Sequence, residues 1–357
     1  MKMTFRWFGE ESDSVSLQDI RQIPGVSGVM GFLDYKAPGE VWTEDEISAY
    51  MEKVHGAGLE CEVIESVNIH EDIKLGLPSR DVYIENYCAT IRNLSRFGVK
   101  VIIYNFMPVI DWLRTDLARV NPEDGSVSMF FDNSKVEGLS PPDFVESMQE
   151  GSNGFSLPGW EPERMAELKT TLEQYRNISP EMLLENFSYF MNKIAPVCEE
   201  TGIKMACHPD DPSWPIFGLP RIGYSREWFD RMIEACPSPC NTLCLCTGSL
   251  GSNRDNSIPE LIRHFGSMGR ISCLHIRNVK FMGDRVFRES AHYSGDGDLN
   301  MLEIVRAAAQ TCPEVYVRPD HGRMIWGEKG RPGYGLYDRA LGSQYILGLW
   351  EAVSAPC

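Results

Sequence analysis

A cluster of ionisable side chains follows a predicted strand near the carboxyl end of the chain. The segment 314–323, EVYVRPDHGR, begins with residues of high strand propensity and continues into Arg318, Asp320 and His321. An α/β enzyme commonly places its chemistry at the carboxyl edge of its sheet in this way. An Asp can ligate a metal or act as a base, and a His can do either. The segment therefore predicts a catalytic or metal-binding site.

Three earlier predicted strands, at 203–207, 242–245 and 271–274, end with the same kind of side chain. The first metal-competent residues after them are His208, Cys246 and His275. Parallel strands of a barrel end at one mouth, so these residues and Asp320 are expected to be neighbours. Each alone is more often structural, as a hydrogen-bonded His or a core Cys. Four at successive strand ends favour a mixed site for a divalent transition metal, although their spacing does not distinguish zinc, manganese and iron.

The elements that must position these residues are strands and helices in alternation. Buried strands are predicted at 3–8, 28–33, 59–67, 100–106, 203–207, 242–245, 271–274 and 314–317. Helices are predicted at 16–23, 43–56, 81–97, 180–201, 225–236, 258–268, 299–311 and 336–353. Thr43 and Glu46 have the spacing of a capping box. The pattern predicts an α/β fold, a single (β/α)8 TIM barrel over residues 1–357.

Residues 107–180 interrupt the alternation. Pro, Gly, Asn and Ser are frequent there, and the segment DGSVSMFFDN at 124–133 predicts a hairpin or meander. A helix is predicted at 162–175. We interpret the segment as an insertion after strand 4, which serves as a lid or an oligomer contact.

The composition excludes several classes of function. Hydrophobic residues make up 43% and charged residues 24%, so a large packed core is possible. The chain has 34 Lys and Arg against 51 Asp and Glu, and its net charge of −17 would repel nucleic acid and anionic membranes. It shows no signal-peptide pattern, no membrane-spanning apolar run and no Cys-x-x-Cys pair among eleven cysteines. We therefore expect reduced thiols and a cytoplasmic location.

The sequence resembles the mannonate dehydratase family along nearly its whole length. The motifs that carry the resemblance are RWFG at 6–9, GEVW at 39–42, ESV at 65–67, HEDIK at 70–74, YNFMP at 104–108, HPDDP at 208–212, GLPR at 218–221, CTGS at 246–249, RPDHG at 318–322 and PGY at 332–334. The resemblance implies a metal-dependent lyase with a xylose-isomerase-like barrel. Such an enzyme converts D-mannonate to 2-dehydro-3-deoxy-D-gluconate and water in hexuronate (glucuronate) catabolism. Gly335, where the family often has Ser, and a segment 107–180 shorter than in many members depart from the pattern.

The resemblance also implies the site residues. The family's metal ligands fall on the four strand-end residues, His208, Cys246, His275 and Asp320, and Mn2+ or Fe2+ is the expected ion. Its acid–base pair falls on His321 and Tyr334. Removing the proton α to a carboxylate requires a cation near the developing charge, and a hydroxyl leaving C3 requires a general acid. We favour His321 as proton donor and Tyr334 as base, and the reverse assignment stays open.

Several further residues lie at or just beyond predicted strand ends. His70, Asn105 and Arg277 would suit binding of substrate hydroxyl or carboxylate groups, and loop capping or ion pairing is the alternative for each. Asp210 and Asp211 could orient the ligands from behind. We expect a small-molecule substrate and a homo-oligomer, a dimer or larger.

Three other functions compete with this interpretation. A sugar isomerase or epimerase on the same fold would more often use a carboxylate-rich site, and Cys246 argues against it. A catalytically silent binder of sugar acids would need neither His321 nor Tyr334. A zinc-stabilised structural protein would prefer a closed, Cys-rich site with short ligand spacing. The residues therefore favour the dehydratase.

Overall fold

Strands and helices alternate along most of the chain in the computed structural model, which describes residues 1–137 and 170–354. The strands are β1 (Lys2–Arg6), β2 (Gly28–Gly31), β3 (Glu60–Glu65), β4 (Val101–Tyr104), β5 (Asp116–Val120), β6 (Val127–Asp132), β7 (Lys204–Cys207), β8 (Asn241–Cys246), β9 (Ile271–Ile276), β10 (Asn278–Gly283), β11 (Val286–Ser290), β12 (Tyr316–Pro319) and β13 (Arg323–Met324). The α-helices are α1 (Leu17–Arg21), α2 (Glu44–Gly56), α3 (Glu71–Leu75), α4 (Arg80–Arg96), α5 (Pro180–Thr201), α6 (Arg226–Ala235), α7 (Thr247–Gly251), α8 (Ile258–Ser267), α9 (Met301–Thr311) and α10 (Leu336–Ser354). A 3-10 helix covers Asn133–Lys135.

Eight of these strands close a parallel barrel in the order β1-β12-β9-β8-β7-β4-β3-β2. They are the eight strands predicted from the sequence, so the predicted TIM barrel is confirmed. Small and branched side chains fill the barrel interior, among them Val63, Ile103, Ala206 and Cys273. A larger apolar cluster joins the outer faces of the strands to the surrounding helices. Strands buried on both faces explain why their sequences are apolar runs rather than alternating patterns.

The predicted helix boundaries have local causes that the structure shows. Thr43 Oγ1 accepts from the backbone N–H of Glu46 at 3.4 Å, and the Glu46 carboxylate accepts from the N–H of Thr43 at 2.9 Å, so the predicted capping box is present. Gly202 ends α5 with φ 74°, a conformation that favours glycine. Within the described ranges, no helix is long and apolar enough to cross a membrane.

A second, antiparallel sheet lies outside the barrel path and contains β10, β11, β6 and β13 in that order, with β5 paired to β6. The segment 124–133 forms the turn and second arm of the β5–β6 pair, as predicted. The helix predicted at 162–175 lies partly outside the described residues, and residues 170–175 are helical. The interpretation of 107–180 as an insertion stays a prediction. The sequence did not predict the hairpin β10–β11, because its two short strands carry mixed polar and apolar residues.

Candidate metal centre and active site

The carboxyl ends of three neighbouring barrel strands hold a cluster of metal-competent side chains. His208 directly follows β7, Cys246 ends β8 and His275 lies near the end of β9. Strand register causes the convergence, because Cys246 pairs with His275 across β8 and β9 and β7 lies on the other side of β8. Each of the three residues offers one possible ligand atom, a His nitrogen or the Cys sulfur, and these three atoms all lie within 4.8 Å of one another. The structure therefore brings three of the four predicted ligands together.

Asp320, the fourth predicted ligand, borders this cluster from β12, the neighbour of β9. Its Oδ2 lies 3.3 Å from the Sγ of Cys246. Arg318 donates to Oδ1 at 2.6 Å, and Arg277 donates to Oδ2 at 2.9 Å. Burial alone would raise the pKa of Asp320, but Arg318 and other nearby cations hold it well below its usual range. An ionised carboxylate is thus available beside the cluster.

The clustered side chains differ in how well their protonation suits metal ligation. Burial lowers the pKa of His275, but Cys244 and Glu65 hold it well above its usual value, so this residue must release a proton to bind a metal. Burial raises the pKa of the Cys246 thiol, but the guanidinium of Arg277 is chief among the groups that lower it to about 5.

Nδ1 of His208 lies 2.8 Å from the carbonyl oxygen of Pro209, and since a carbonyl only accepts, Nδ1 donates and Nε2 is the nitrogen that could bind a metal. Nδ1 of His275 lies 3.1 Å from Nη2 of Arg318, and because a guanidinium only donates, the proton of a neutral His275 lies on Nε2. Nε2 makes no hydrogen bond to any described residue, and it must release its proton to bind a metal. This mixed nitrogen and sulfur set fits a divalent transition metal.

We expect Cys246 of the metal-free protein to titrate far below an ordinary thiol. Its pKa of about 5, against the usual 9.0, means that the thiolate is present at neutral pH and is protonated only as the pH falls through about 5. The ultraviolet absorbance of the thiolate, taken as the difference between metal-stripped wild type and Cys246→Ser, measures this titration. A difference curve with its midpoint near the usual thiol value would contradict the expectation.

His321 and Tyr334 lie on the wall of a cavity beside the cluster, and their ring centroids are 5.4 Å apart. Nε2 of His321 is 3.8 Å from Oδ2 of Asp320, so the imidazole borders the candidate metal ligands. Burial and the charge of Asp320 raise the pKa of Tyr334, which favours its protonated phenol. The two side chains are therefore placed to act on the same small molecule.

The cavity that these groups share has a volume of ≈ 150 Å³. Five predicted site residues line it, namely Asn105, His208, Asp320, His321 and Tyr334. Charged and aromatic residues complete the wall, including Arg6, Phe8, Glu65, Trp112, Asp211 and Arg318. A small, charged and partly aromatic cavity suits a hydroxylated, anionic small molecule.

Behind the cavity, two fully buried arginines bind three carboxylates. Arg277 donates to Asp211 at 2.6 Å and to Glu289 at 2.7 Å. It also donates to Asp320, as described above. Arg114 pairs with Asp211 at 2.8 Å and with Glu289 at 2.6 Å. Because Arg114 precedes β5 and Glu289 lies in β11, this ion network connects the antiparallel sheet to the barrel end that holds the candidate metal ligands.

The three residues predicted to bind substrate have different surroundings. Asn105 lines the cavity, and its Oδ1 accepts from the N–H of Met107 at 3.2 Å. His70 caps α3, where its Nδ1 accepts from the N–H of Asp72 at 3.1 Å, and it is not part of the cavity wall. Arg277 is committed to the buried ion network. His70 therefore has the capping role, and Arg277 has the ion-pairing role, that were named as alternatives to substrate binding. Contact of either residue with substrate stays a prediction.

Asp210 and Asp211 brace the loop that follows His208. Asp210 accepts from Arg221 at 3.1 Å and from the N–H of Gly223 at 2.8 Å, whereas Asp211 belongs to the ion network. Neither carboxylate hydrogen-bonds to His208 itself, whose Nδ1 is bound by the backbone. Any effect of these two carboxylates on the orientation of His208 therefore acts through the position of its loop.

Sequence reasoning missed two acidic residues of the site. Glu65 ends β3, accepts from Arg318 at 2.9 Å and lies 3.3 Å from Nε2 of His275 without hydrogen-bond geometry. The strand was predicted at 59–67, two residues past the end of β3 at Glu65, so the strand-end rule that selected the candidate ligands did not select Glu65. Glu289 carried no strand-end signal, because it lies inside β11 and its partners come from distant parts of the chain.

The chain is similar over its whole length to proteins of one enzyme family. The family model described as D-mannonate dehydratase (UxuA) matches residues 1–356. A mannonate dehydratase of Lachnoclostridium phytofermentans is 63% identical over 353 residues, which cover 99% of this chain and 99% of that protein. A mannonate dehydratase of Thermotoga neapolitana is 57% identical over 354 residues, with 99% and 98% covered.

Solved structures show the same similarity. The crystal structure of mannonate dehydratase from Streptococcus suis serotype 2 matches with a TM-score of 0.89 and 41% identity, over 99% of this chain and 95% of that chain. A xylose isomerase-like TIM barrel protein from Mycobacterium smegmatis matches with a TM-score of 0.53 and 13% identity, over 95% and 88%. At 13% identity, the second match shows a similarity of fold only.

Proposed function

This chain belongs to the D-mannonate dehydratase family, and we propose that it converts D-mannonate to 2-dehydro-3-deoxy-D-gluconate and water with a divalent metal ion. Family membership makes it a hydro-lyase. The observation that carries the finer proposal is the cluster of two imidazoles and a thiol, within 4.8 Å of one another, beside a His–Tyr pair in one cavity.

We assign the ion to His208, Cys246, His275 and Asp320, and Mn2+ or Fe2+ is the expected metal. A bound divalent cation supplies the positive charge that stabilises negative charge developing on the carboxylate and C2 oxygen of the substrate. The guanidinium groups of Arg277 and Arg318 hold the Asp320 carboxylate in place beside the cluster.

In this proposal, His321 and Tyr334 move the protons. One removes the proton from C2, the other donates a proton to the hydroxyl that leaves C3 as water, and the enol that results becomes the 2-keto acid. The raised pKa of Tyr334 favours a protonated phenol in the metal-free protein. This supports Tyr334 as the donor and His321 as the base, the reverse of the assignment favoured from the sequence.

We expect Tyr334→Phe and His321→Gln each to lower kcat by about 100- to 10,000-fold, the usual contribution of a general acid or base. The variant that lacks only the acid should still exchange the C2 hydrogen of D-mannonate with solvent deuterium, whereas the variant without the base should not. Proton NMR in D2O with the metal-loaded proteins measures this exchange. Either variant retaining more than about a tenth of wild-type kcat would remove that residue from the acid–base pair.

A dehydration assay on metal-stripped protein tests the proposed function. D-Mannonate is supplied with and without added Mn2+ or Fe2+, and the 2-keto-3-deoxy acid is followed by its colour reaction. Product is expected only after the metal is added. If folded and metal-loaded protein forms no product with any divalent ion, the dehydratase proposal fails, and free hexuronates then test a sugar isomerase.

We also propose that the reaction belongs to hexuronate (glucuronate) catabolism, takes place in the cytoplasm and is carried out by a homo-oligomer. The cysteines of the described residues are free thiols, which supports a reducing compartment. Light scattering of the purified protein measures the assembly.

A further inference from the structure

An arginine that forms no ion pair with any described carboxylate faces the candidate active-site cavity. Arg6 is the last residue of β1, at the same mouth of the barrel as the candidate metal ligands, and only 4% of it is exposed. It lines the cavity together with His208, Asp320 and Tyr334. A charged group in this position borders whatever small molecule the cavity binds.

The hydrogen bonds of Arg6 use one nitrogen of its guanidinium. Nη1 donates to the carbonyl oxygens of Met30 at 3.2 Å and Gly31 at 3.3 Å. In residues 1–137 and 170–354, no acceptor is bonded to its Nε or Nη2, and no carboxylate oxygen lies within 4.0 Å of the group. Arg318, on the same wall, instead binds Glu65 and Asp320. Burial lowers the pKa of Arg6, although the carboxylate of Glu65, more than 4.0 Å away, raises it. The charge of Arg6 is thus only partly compensated, and an anionic ligand in direct contact with it would add a favourable interaction.

Two aromatic rings hold the guanidinium of Arg6 in place. Its central carbon lies 4.3 Å from the ring centroid of Phe8 and 5.3 Å from that of Phe32. Phe8 also packs edge-on against Tyr334, with ring centroids 4.9 Å apart. Phe8 therefore contacts both the guanidinium of Arg6 and the ring of Tyr334, one member of the candidate acid–base pair. A pre-positioned guanidinium loses little freedom when it binds a ligand.

We propose that Arg6 binds the carboxylate of the substrate and thereby selects sugar acids over neutral sugars of the same length. This inference rests on the proposed function, because it names the residue that recognises the acid group. Parallel N–H donors of a guanidinium match the two oxygens of a carboxylate. Because C2 is bonded to the carboxylate carbon, holding that group also positions the C2 hydrogen for removal.

Binding of a charged and a neutral ligand tests this role. Calorimetry on metal-loaded protein compares D-mannonate with D-mannonamide, in which a neutral amide replaces the carboxylate. A Tyr334→Phe background slows turnover by the expected factor of about 100 to 10,000 during the titration. Adding Arg6→Met should weaken D-mannonate binding by about 10- to 100-fold, the range for a hydrogen bond between charged groups, and leave D-mannonamide unchanged. Arg6→Lys should recover part of the loss, and with Tyr334 intact Arg6→Met should raise KM more than it lowers kcat.

Arg270→Met is the matched control for loss of an arginine bound to backbone carbonyls. Arg270 donates to Pro237, Ser238 and Asn241 at the amino end of β8, and it does not line the cavity. This variant should bind D-mannonate as the Tyr334→Phe parent does. Equal weakening of both ligands by Arg6→Met, or unchanged D-mannonate binding, would overturn the inference. A wild type that binds D-mannonate without dehydrating it contradicts the proposed function alone, whereas one that binds no D-mannonate overturns both.

Discussion

Replacing Cys246 with alanine is expected to abolish metal binding and dehydratase activity together. The sulfur is buried beside His208 and His275, and Arg277 stabilises its thiolate. Loss of a residue that only orients a metal ligand lowers metal affinity by about 10- to 100-fold, so loss of a ligand itself should cost at least about 100-fold. Activity should fall with the metal, because proton removal beside a carboxylate depends on the positive charge there.

Metal content after dialysis and dehydration rate, measured on the same samples, check this expectation. Cys240→Ala is the matched control, because Cys240 is buried like Cys246 but stands just before the opposite end of β8. It should keep both metal and activity. Wild-type metal content in Cys246→Ala would contradict the assigned ligand set, and full activity of wild type after exhaustive chelation would contradict the metal requirement.

Replacing Arg277 with methionine is expected to destabilise the metal-free fold by about 3–5 kcal/mol, the usual effect of breaking a buried ion pair. The side chain is fully buried and pairs with Asp211, Glu289 and Asp320. Without it, Arg114 still pairs with Asp211 and Glu289, and Asp320 keeps its bond to Arg318. Methionine fills part of the volume but supplies no charge to the carboxylates.

Urea unfolding in the presence of a chelator separates this effect from any change in metal affinity. Arg263→Met is the control, because Arg263 pairs with Glu303 at 3.4 Å while its side chain is 41% exposed. An exposed pair contributes less than about 1 kcal/mol, so this variant should unfold nearly as wild type does. A loss below about 1 kcal/mol for Arg277→Met would show that the ion network contributes little. Glu289→Gln measures the same network if Arg277→Met does not fold.

The barrel could be predicted from the sequence because each of its elements has a local cause. Apolar runs and helical periodicity placed all eight barrel strands, and the predicted helix at 180–201 matches α5. Parallel strands bring their carboxyl ends to one mouth whatever their sequences are, so strand ends alone selected His208, Cys246, His275 and Asp320. Glu65 was not selected, because the strand predicted at 59–67 extended two residues past the end of β3 at Glu65.

The chain by itself thus determined the elements, their order and the candidate ligands, and its motifs indicated the family. Only the tertiary structure decided which charges meet. Arg114 and Glu289 bind each other although 175 positions separate them. Among the described residues, Arg6 has no carboxylate within 4.0 Å, although Arg318 on the same wall binds two. Local propensity depends on neighbours in sequence, whereas the partner of a buried charge depends on the packing of distant strands, which no short segment encodes.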